Sequence, residues 1–164
     1  MRDTANTLVW PASTFMIALI LSVVPMPDVA VAIRPPWPAL VMIYWTLVAP
    51  ERFGLMTAMA LGLAVDTLSG ALLGQNAFAM LIITYFGLKF HLRLRFSPIF
   101  QTTMTVFGML LVYEFILFWI DGVAGRTVLF SERWMPLLIG TLLWPLVLEV
   151  LDRIRKHDQG RIEA

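Results

Sequence analysis

The sequence predicts an all-α integral membrane protein: a single transmembrane domain over residues 1–164, six transmembrane helices, and both termini in the cytoplasm. Three observations carry that prediction. First, 59% of the residues are hydrophobic and 14% charged, with a mean hydropathy of +0.80, which leaves too little polar surface to coat a soluble domain. Second, proline and charge clusters divide the apolar sequence into six runs, each suited to a helix in a hydrocarbon core about 30 Å thick. Third, with an even number of crossings, Arg2, Arg52, Lys89, Arg93, Arg95, Arg153, Arg155, Lys156 and Arg161 fall on one side, and only Arg34, Arg126 and Arg133 on the other. Cations collect on the cytoplasmic side of membrane proteins, so the termini belong there.

The expected helices run over about 7–24, 37–49, 53–73, 76–90, 97–120 and 133–152, followed by a short basic cytoplasmic tail, 153–164. Pro25 and Pro27 end the first run. Its basic start, apolar stretch and Ala30-Val31-Ala32 imitate a cleavable leader, but it is read as an uncleaved helix. Pro35, Pro36 and Pro38 introduce the second run, where a missing N–H costs nothing. That run is short, so it must thin the bilayer, extend past its ends, or hide against neighbours. Pro50-Glu51-Arg52 forms a tight turn into the third. Ser97-Pro98 opens the fifth helix as N-cap and first-turn proline, and Asp121-Gly122 closes it. Trp37, Trp119 and Trp134 fall at the expected outer ends, where indoles favour the interface.

Little in the chain can carry catalysis. His91 and His157 lie in expected cytoplasmic segments, far from any acid pair with metal-ligand spacing. There is no phosphate-cradling glycine loop and no nucleophile elbow, and no histidine at membrane depth to activate a hydroxyl. No enzyme activity, metal, cofactor or nucleic-acid partner is expected. Lys89, Arg93 and Arg95 alternate with Phe90, Leu92 and Leu94 at a cytoplasmic helix end. They read as an anchor to anionic lipid, or as a dock for an acidic partner.

The third helix is the informative one. Gly54, Ala58, Gly62, Asp66, Gly70 and Gly74 recur every four residues, a stripe of small side chains that admits a close neighbour, whether from this chain or another. Asp66 lies within it. An acid at a helix centre costs about 2.5–3.5 kcal/mol on insertion scales, so Asp66 is expected to face the bundle interior. Counting about 1.5 Å per residue puts Asp66, Glu114 on the fifth helix, Tyr44, Thr84 and Thr141 in one layer. Pro145 frees the carbonyl of Thr141 there. The expectation is that Asp66 is protonated and donates a hydrogen bond to Thr141 or Tyr44. Glu149 lies near the cytoplasmic end and can reach Arg153.

The order of PMPD (25–28), RPPW (34–37), IYW (43–45), APERFG (49–54), GLAVDTLSGALLGQ (62–75), HLRLR (91–95), an acid leading into FW (Glu114 to Trp119) and LLWP (142–145) resembles the MreD family of bacterial rod shape-determining membrane proteins. The likeness covers about residues 25–145. It implies a multi-pass inner-membrane component of the machinery that builds lateral cell wall, with MreC as direct partner and MreB, RodA and a penicillin-binding transpeptidase in the wider complex. It also implies a fold like the substrate-binding subunits of energy-coupling-factor transporters. The resemblance carries over no catalytic residue; Asp66, Gly70, Gly74 and the stretch from Arg34 to Trp37 are its signature positions. Glu114 departs from the Asp frequent in that family.

Two functions compete. One is a non-enzymatic membrane scaffold that binds MreC and membrane lipids. The other is a small transporter or lipid-handling subunit using the intramembrane acids. A transporter is expected to carry several ionisable groups along one path, or broken helices at the midplane. Acids here are few and Pro145 is the one clear midmembrane break, so the scaffold reading leads.

Overall fold

The computed structural model describes residues 3–25, 34–95, 97–126 and 130–162, with side chains over 10–25, 34–94, 97–126 and 134–155. Ala30-Val31-Ala32 and residues 26–28 of the PMPD run lie outside the described residues, as do the side chains of Arg95, Arg133 and His157. Among the described residues there are six helices and no strand: α1 (Asp3–Val23), α2 (Trp37–Val48), α3 (Leu55–Ser69), α4 (Gln75–Arg95), α5 (Ile99–Val123) and α6 (Phe130–Ile162). Gln75–Leu94, Ile99–Val123 and Trp134–Arg155 are long and apolar enough to cross a membrane; Trp10–Val23, α2 and α3 are apolar but shorter.

Helix α2 sits at the centre. It packs against α1, α3, α4 and α6, and every residue from Pro38 to Leu47 is buried. A helix that is apolar all round belongs in a core, so the short second run takes the third of its options and hides among neighbours. Its Trp45 indole donates to Thr14 Oγ1 of α1 at 2.9 Å, and Trp45 packs on Phe53, whose ring in turn meets Phe15. Around this core, α3 pairs with α4, α4 with α5, and α5 with α6. The outward faces stay apolar, as with Met56 on α3, Phe115 on α5 and Leu142 on α6.

Among the helix limits that differ from the sequence reading, three bear on the ends of the bundle. Helix α3 stops at Ser69 rather than 73, because Gly70 adopts the left-handed conformation (φ 66°, ψ 23°) that ends a helix. Helix α4 runs on to Arg95, so Lys89–Arg95 is helical. Lys89 and Arg93, four apart, then share an exposed face, while Leu94 turns inward. Helix α6 continues through Pro145 to Ile162, well into the expected tail.

Up-and-down connectivity gives the bundle two ends. One carries the close of α1, α3 and α5 and the start of α2, α4 and α6; it is called here the Asp66 end. The opposite, basic end carries Lys89, Arg93, Arg153 and Arg155.

Candidate functional site

Helix α3 needs acceptors and donors settled where it stops, and α4 needs the same where it starts, since each helix end leaves backbone groups without an intrahelical partner. One residue serves both ends. The backbone carbonyl of Asp66 accepts the N–H groups of Gly70 and, at 3.1 Å, Ala71. Its carboxylate faces the start of α4. Oδ2 accepts from the backbone N–H of Gly74 at 2.8 Å and of Ala77 at 3.4 Å. Oδ1 accepts from the backbone N–H of Asn76 at 2.8 Å and from its side-chain amide at 2.9 Å. Gln75 N–H turns back to Leu72 O, and Phe78 N–H to Gly74 O opens the α4 ladder. Asp66 thus caps the next helix from eight residues away. It also places a carboxylate at the positive end of the α4 dipole.

Glycines make this reach feasible. Gly62 lies one turn before Asp66 on the same face, and a Cβ there would fall 2.3 Å from Ala77 Cα and 2.6 Å from Ala77 N. The α3 and α4 backbones therefore touch, and the close neighbour of the glycine stripe at Gly62 is α4 of this chain. Gly70 and Gly74 are turn residues with positive φ (66° and 96°) rather than members of a helical stripe.

The network extends to α5. Tyr113 Oη donates to Asn76 Oδ1 at 2.6 Å, and the Gln75 side-chain amide donates to Asp121 Oδ1 at 3.0 Å. Beside them lies a cavity of about 400 Å³, bordered by Arg34, Ser69, Asn76, Glu114, Asp121 and Arg126. Arg34 donates to the carbonyls of Ser22 and Val24 at the end of α1, a cation at a helix C-terminus. Ser22 and Ser69 direct their hydroxyls back to Leu19 and Val65 of their own helices. Neither meets a base. Among the described residues, no three His, Cys, Asp or Glu side chains gather as a metal site.

The hydrogen bond expected from helix counting, from Asp66 to Thr141 or Tyr44, is not made. Asp66 is buried, with 1% of its surface exposed, but it accepts hydrogen bonds rather than donating one, and neither expected partner is near it in the network. Tyr44 points to the basic end and donates to Asp152 Oδ1 at 2.7 Å, where Arg155 joins at 3.1 Å. Thr141 Oγ1 bonds the carbonyl of Leu137 in its own helix at 2.8 Å. Counting along sequence treated α3 as continuous to 73, which pushed Asp66 away from a helix end. Glu114 is buried at the Asp66 end, beside Tyr113. At the other end Lys89 and Arg93 are exposed, Arg95 shares their helix, and the Glu149–Arg153 pair forms at 2.6 Å on the surface. Sequence reading missed Gln75, Asn76, Tyr113 and Asp121. The signal was the polar Gln75-Asn76 pair directly after Gly74, a helix start in apolar surroundings.

No solved structure matches the chain. The family model described as rod shape-determining protein MreD matches residues 1–154. The chain is 28% identical over 144 residues to the rod shape-determining protein MreD of Haemophilus influenzae, covering 88% of this chain and 89% of that protein. A family match that takes in both the Asp66 hairpin and all but the last residues of the sixth helix leaves no part of the described site outside it: the chain belongs to the MreD family of rod shape-determining membrane proteins.

Proposed function

We propose that the chain is a non-enzymatic scaffold in the bacterial inner membrane. It crosses six times with both termini in the cytoplasm, binds MreC, and helps hold MreB, RodA and a penicillin-binding transpeptidase in the assembly that builds lateral wall. On this reading the Asp66 end faces outward, and the bundle resembles the substrate-binding subunits of energy-coupling-factor transporters. Family membership supports the role in rod shape. The observation that favours a scaffold over a transporter is the occupation of Asp66: four donors fix its two oxygens, and a group so held joins helices rather than carrying protons. The cavity beside Asn76 is what favours the transporter or lipid-handling alternative, which requires a solute that binds there and crosses.

The test is co-purification of the full chain with MreC in detergent, followed by site-directed crosslinking from the exposed α3 positions Met56, Met59 and Leu68. The chain contains no cysteine, so single cysteines can be introduced without background. Recovery of MreC with a crosslink is expected. Failure to recover MreC, or turnover of a nucleotide or glycan precursor that one point mutation abolishes, overturns the scaffold reading.

A further inference from the structure

The last third of α6 follows Pro145, which cannot donate to the carbonyl of Thr141 and so leaves a gap in the helix ladder. Thr141 adds to the weakness, because its hydroxyl bonds the Leu137 carbonyl of its own helix, a pattern that bends helices. Up to this point α6 is held firmly. Trp144 is fully buried and Leu137 nearly so, and at Gly140 the helix lies so close to Leu110 and Pro36 that a Cβ would meet each at 3.2 Å. Beyond Pro145 the packing changes. One face, with Leu148, Asp152 and Arg155, borders a cavity of about 360 Å³ shared with the end of α2, the end of α4 and the start of α5. The adjoining face, with Val147, Leu151 and Ile154, borders an apolar groove of about 250 Å³ shared with α1 and α2. Glu149 and Arg153 face outward. A helix with open space along two faces has few neighbours to resist its movement. Among the described residues, one side-chain hydrogen bond ties 146–155 to another helix: Tyr44 Oη of α2 donates to Asp152 Oδ1 at 2.7 Å, in the wall of the larger cavity.

We propose that α6 is hinged at Pro145 and that Tyr44 and Asp152 form the latch that keeps its last third docked, so that this arm exchanges between the docked position seen here and one swung away from the end of α2. Tyr44 belongs to the buried central helix and is 1% exposed, which fixes one half of the latch. Asp152 rides on the arm with 31% of its side chain exposed, and can leave. Arg155, on the same arm, bonds the same oxygen at 3.1 Å and so still meets the charge of Asp152 when Tyr44 lets go. On the six-crossing reading this end is cytoplasmic. The arm carries Arg153, Arg155 and the helix onward to Ile162, so undocking changes the direction in which the basic end of α6 is presented to a cytoplasmic partner.

Distance measurement by double electron–electron resonance on the full chain in lipid nanodiscs tests it. The chain contains no cysteine, so spin labels at Lys89→Cys and Arg153→Cys, both exposed, report the arm against α4. Labels at Lys89→Cys and Leu138→Cys, the latter exposed on α6 before the hinge, report the rest of the bundle. Tyr44→Phe, which removes only the hydroxyl, should raise the population of a second, undocked 89–153 distance about tenfold, the scale of one hydrogen bond to a charged group, and leave the 89–138 distance unchanged. Pro145→Ala, added to Tyr44→Phe, restores the helix ladder and should return the distribution to a single distance. Asp152→Ala, on the partly exposed side of the latch, should match Tyr44→Phe, and takes its place should that variant unfold. An 89–153 distribution that neither latch variant alters, equal broadening of the 89–138 pair, or a second distance that survives Pro145→Ala overturns the proposal.

Discussion

Replacing Asp66 separates a capping role from every other use of a buried acid. In Asp66→Leu, the backbone N–H groups of Gly74, Asn76 and Ala77 and the Asn76 side-chain amide all lose their acceptor. Discounting the 3.4 Å contact leaves three bonds. A net hydrogen bond contributes about 1 kcal/mol and a buried donor left unpaired costs about 1–3 kcal/mol, so the loss should be about 3 kcal/mol or more. Asp66→Asn retains one oxygen, but sets an amide NH2 against the two donors that faced the other, and should lose about 1–2 kcal/mol. Had Asp66 been a donor, as counting along the helices suggested, Asn would be harmless. Reversible unfolding of the full chain in mixed detergent, followed by tryptophan fluorescence, measures both variants. The order wild type, Asn, Leu is expected. An Asn variant as stable as wild type, or a Leu variant weakened by less than about 1 kcal/mol, refutes the capping account.

Gly62→Ala should be destabilising by about 1–3 kcal/mol in the same assay, because its Cβ meets Ala77 backbone atoms that cannot move aside. Gly108→Ala, inside α5 with nothing within 4 Å of a new Cβ, should be neutral or slightly stabilising through helix propensity; equal losses at the two sites would show that contact at Gly62 is not the cause. Gly70→Ala places a Cβ at φ 66° and should lower stability by about 1–2 kcal/mol, whereas an unchanged midpoint would mean the turn relaxes. Reporter fusions at Ala164 and between Arg93 and Ser97 should both read cytoplasmic, and a periplasmic signal at either overturns the six-crossing topology.

Helix starts were legible where proline wrote them, whereas charge misplaced the ends of α4 and α6, which run on through their basic residues. Pro36 and Pro38 fixed the start of α2, and Pro98 the start of α5, to within a residue or two. Legibility failed where a boundary is made by a distant group. Local capping rules look for Ser, Thr, Asp or Asn immediately before a helix, and before α4 they find Gly74. The capping carboxylate comes from Asp66, so no window centred on the start of α4 identifies it, although Asp66, Gly70 and Gly74 were all visible as a set. In the basic segment, the face shared by the cations follows from the helix rather than from the alternation. Cation and apolar residue alternate along it, but on a helix alternate residues point about 200° apart, and Lys89 and Arg93, four apart, share a face. Tyr44 and Asp152, 108 residues apart, join through tertiary packing that no sequence period encodes.

The turn between α3 and α4 explains why a cap of this kind is needed at all. Fifteen residues of α3 rise about 22 Å, less than a hydrocarbon core of about 30 Å, so on the six-crossing reading its end lies within the membrane rather than above it. The turn has the composition that follows: between its two glycines stand Ala71, Leu72 and Leu73, and Leu73 is 75% exposed, as suits a side chain facing lipid and not water. An apolar turn disguises itself as helix, which is why α3 read as continuous to 73. Non-helical backbone at that depth is tolerated only where its polar groups are satisfied by protein or by a polar cavity. Both conditions converge here. Asp66 supplies acceptors for the α4 start through its carboxylate and for the α3 close through its carbonyl, and the polar cavity borders Gly70 and Ala71. The acid in an otherwise apolar helix therefore follows from the shortness of that helix. A full-length α3 could have turned in water, where the loose N–H groups at the start of α4 would need no carboxylate to meet them.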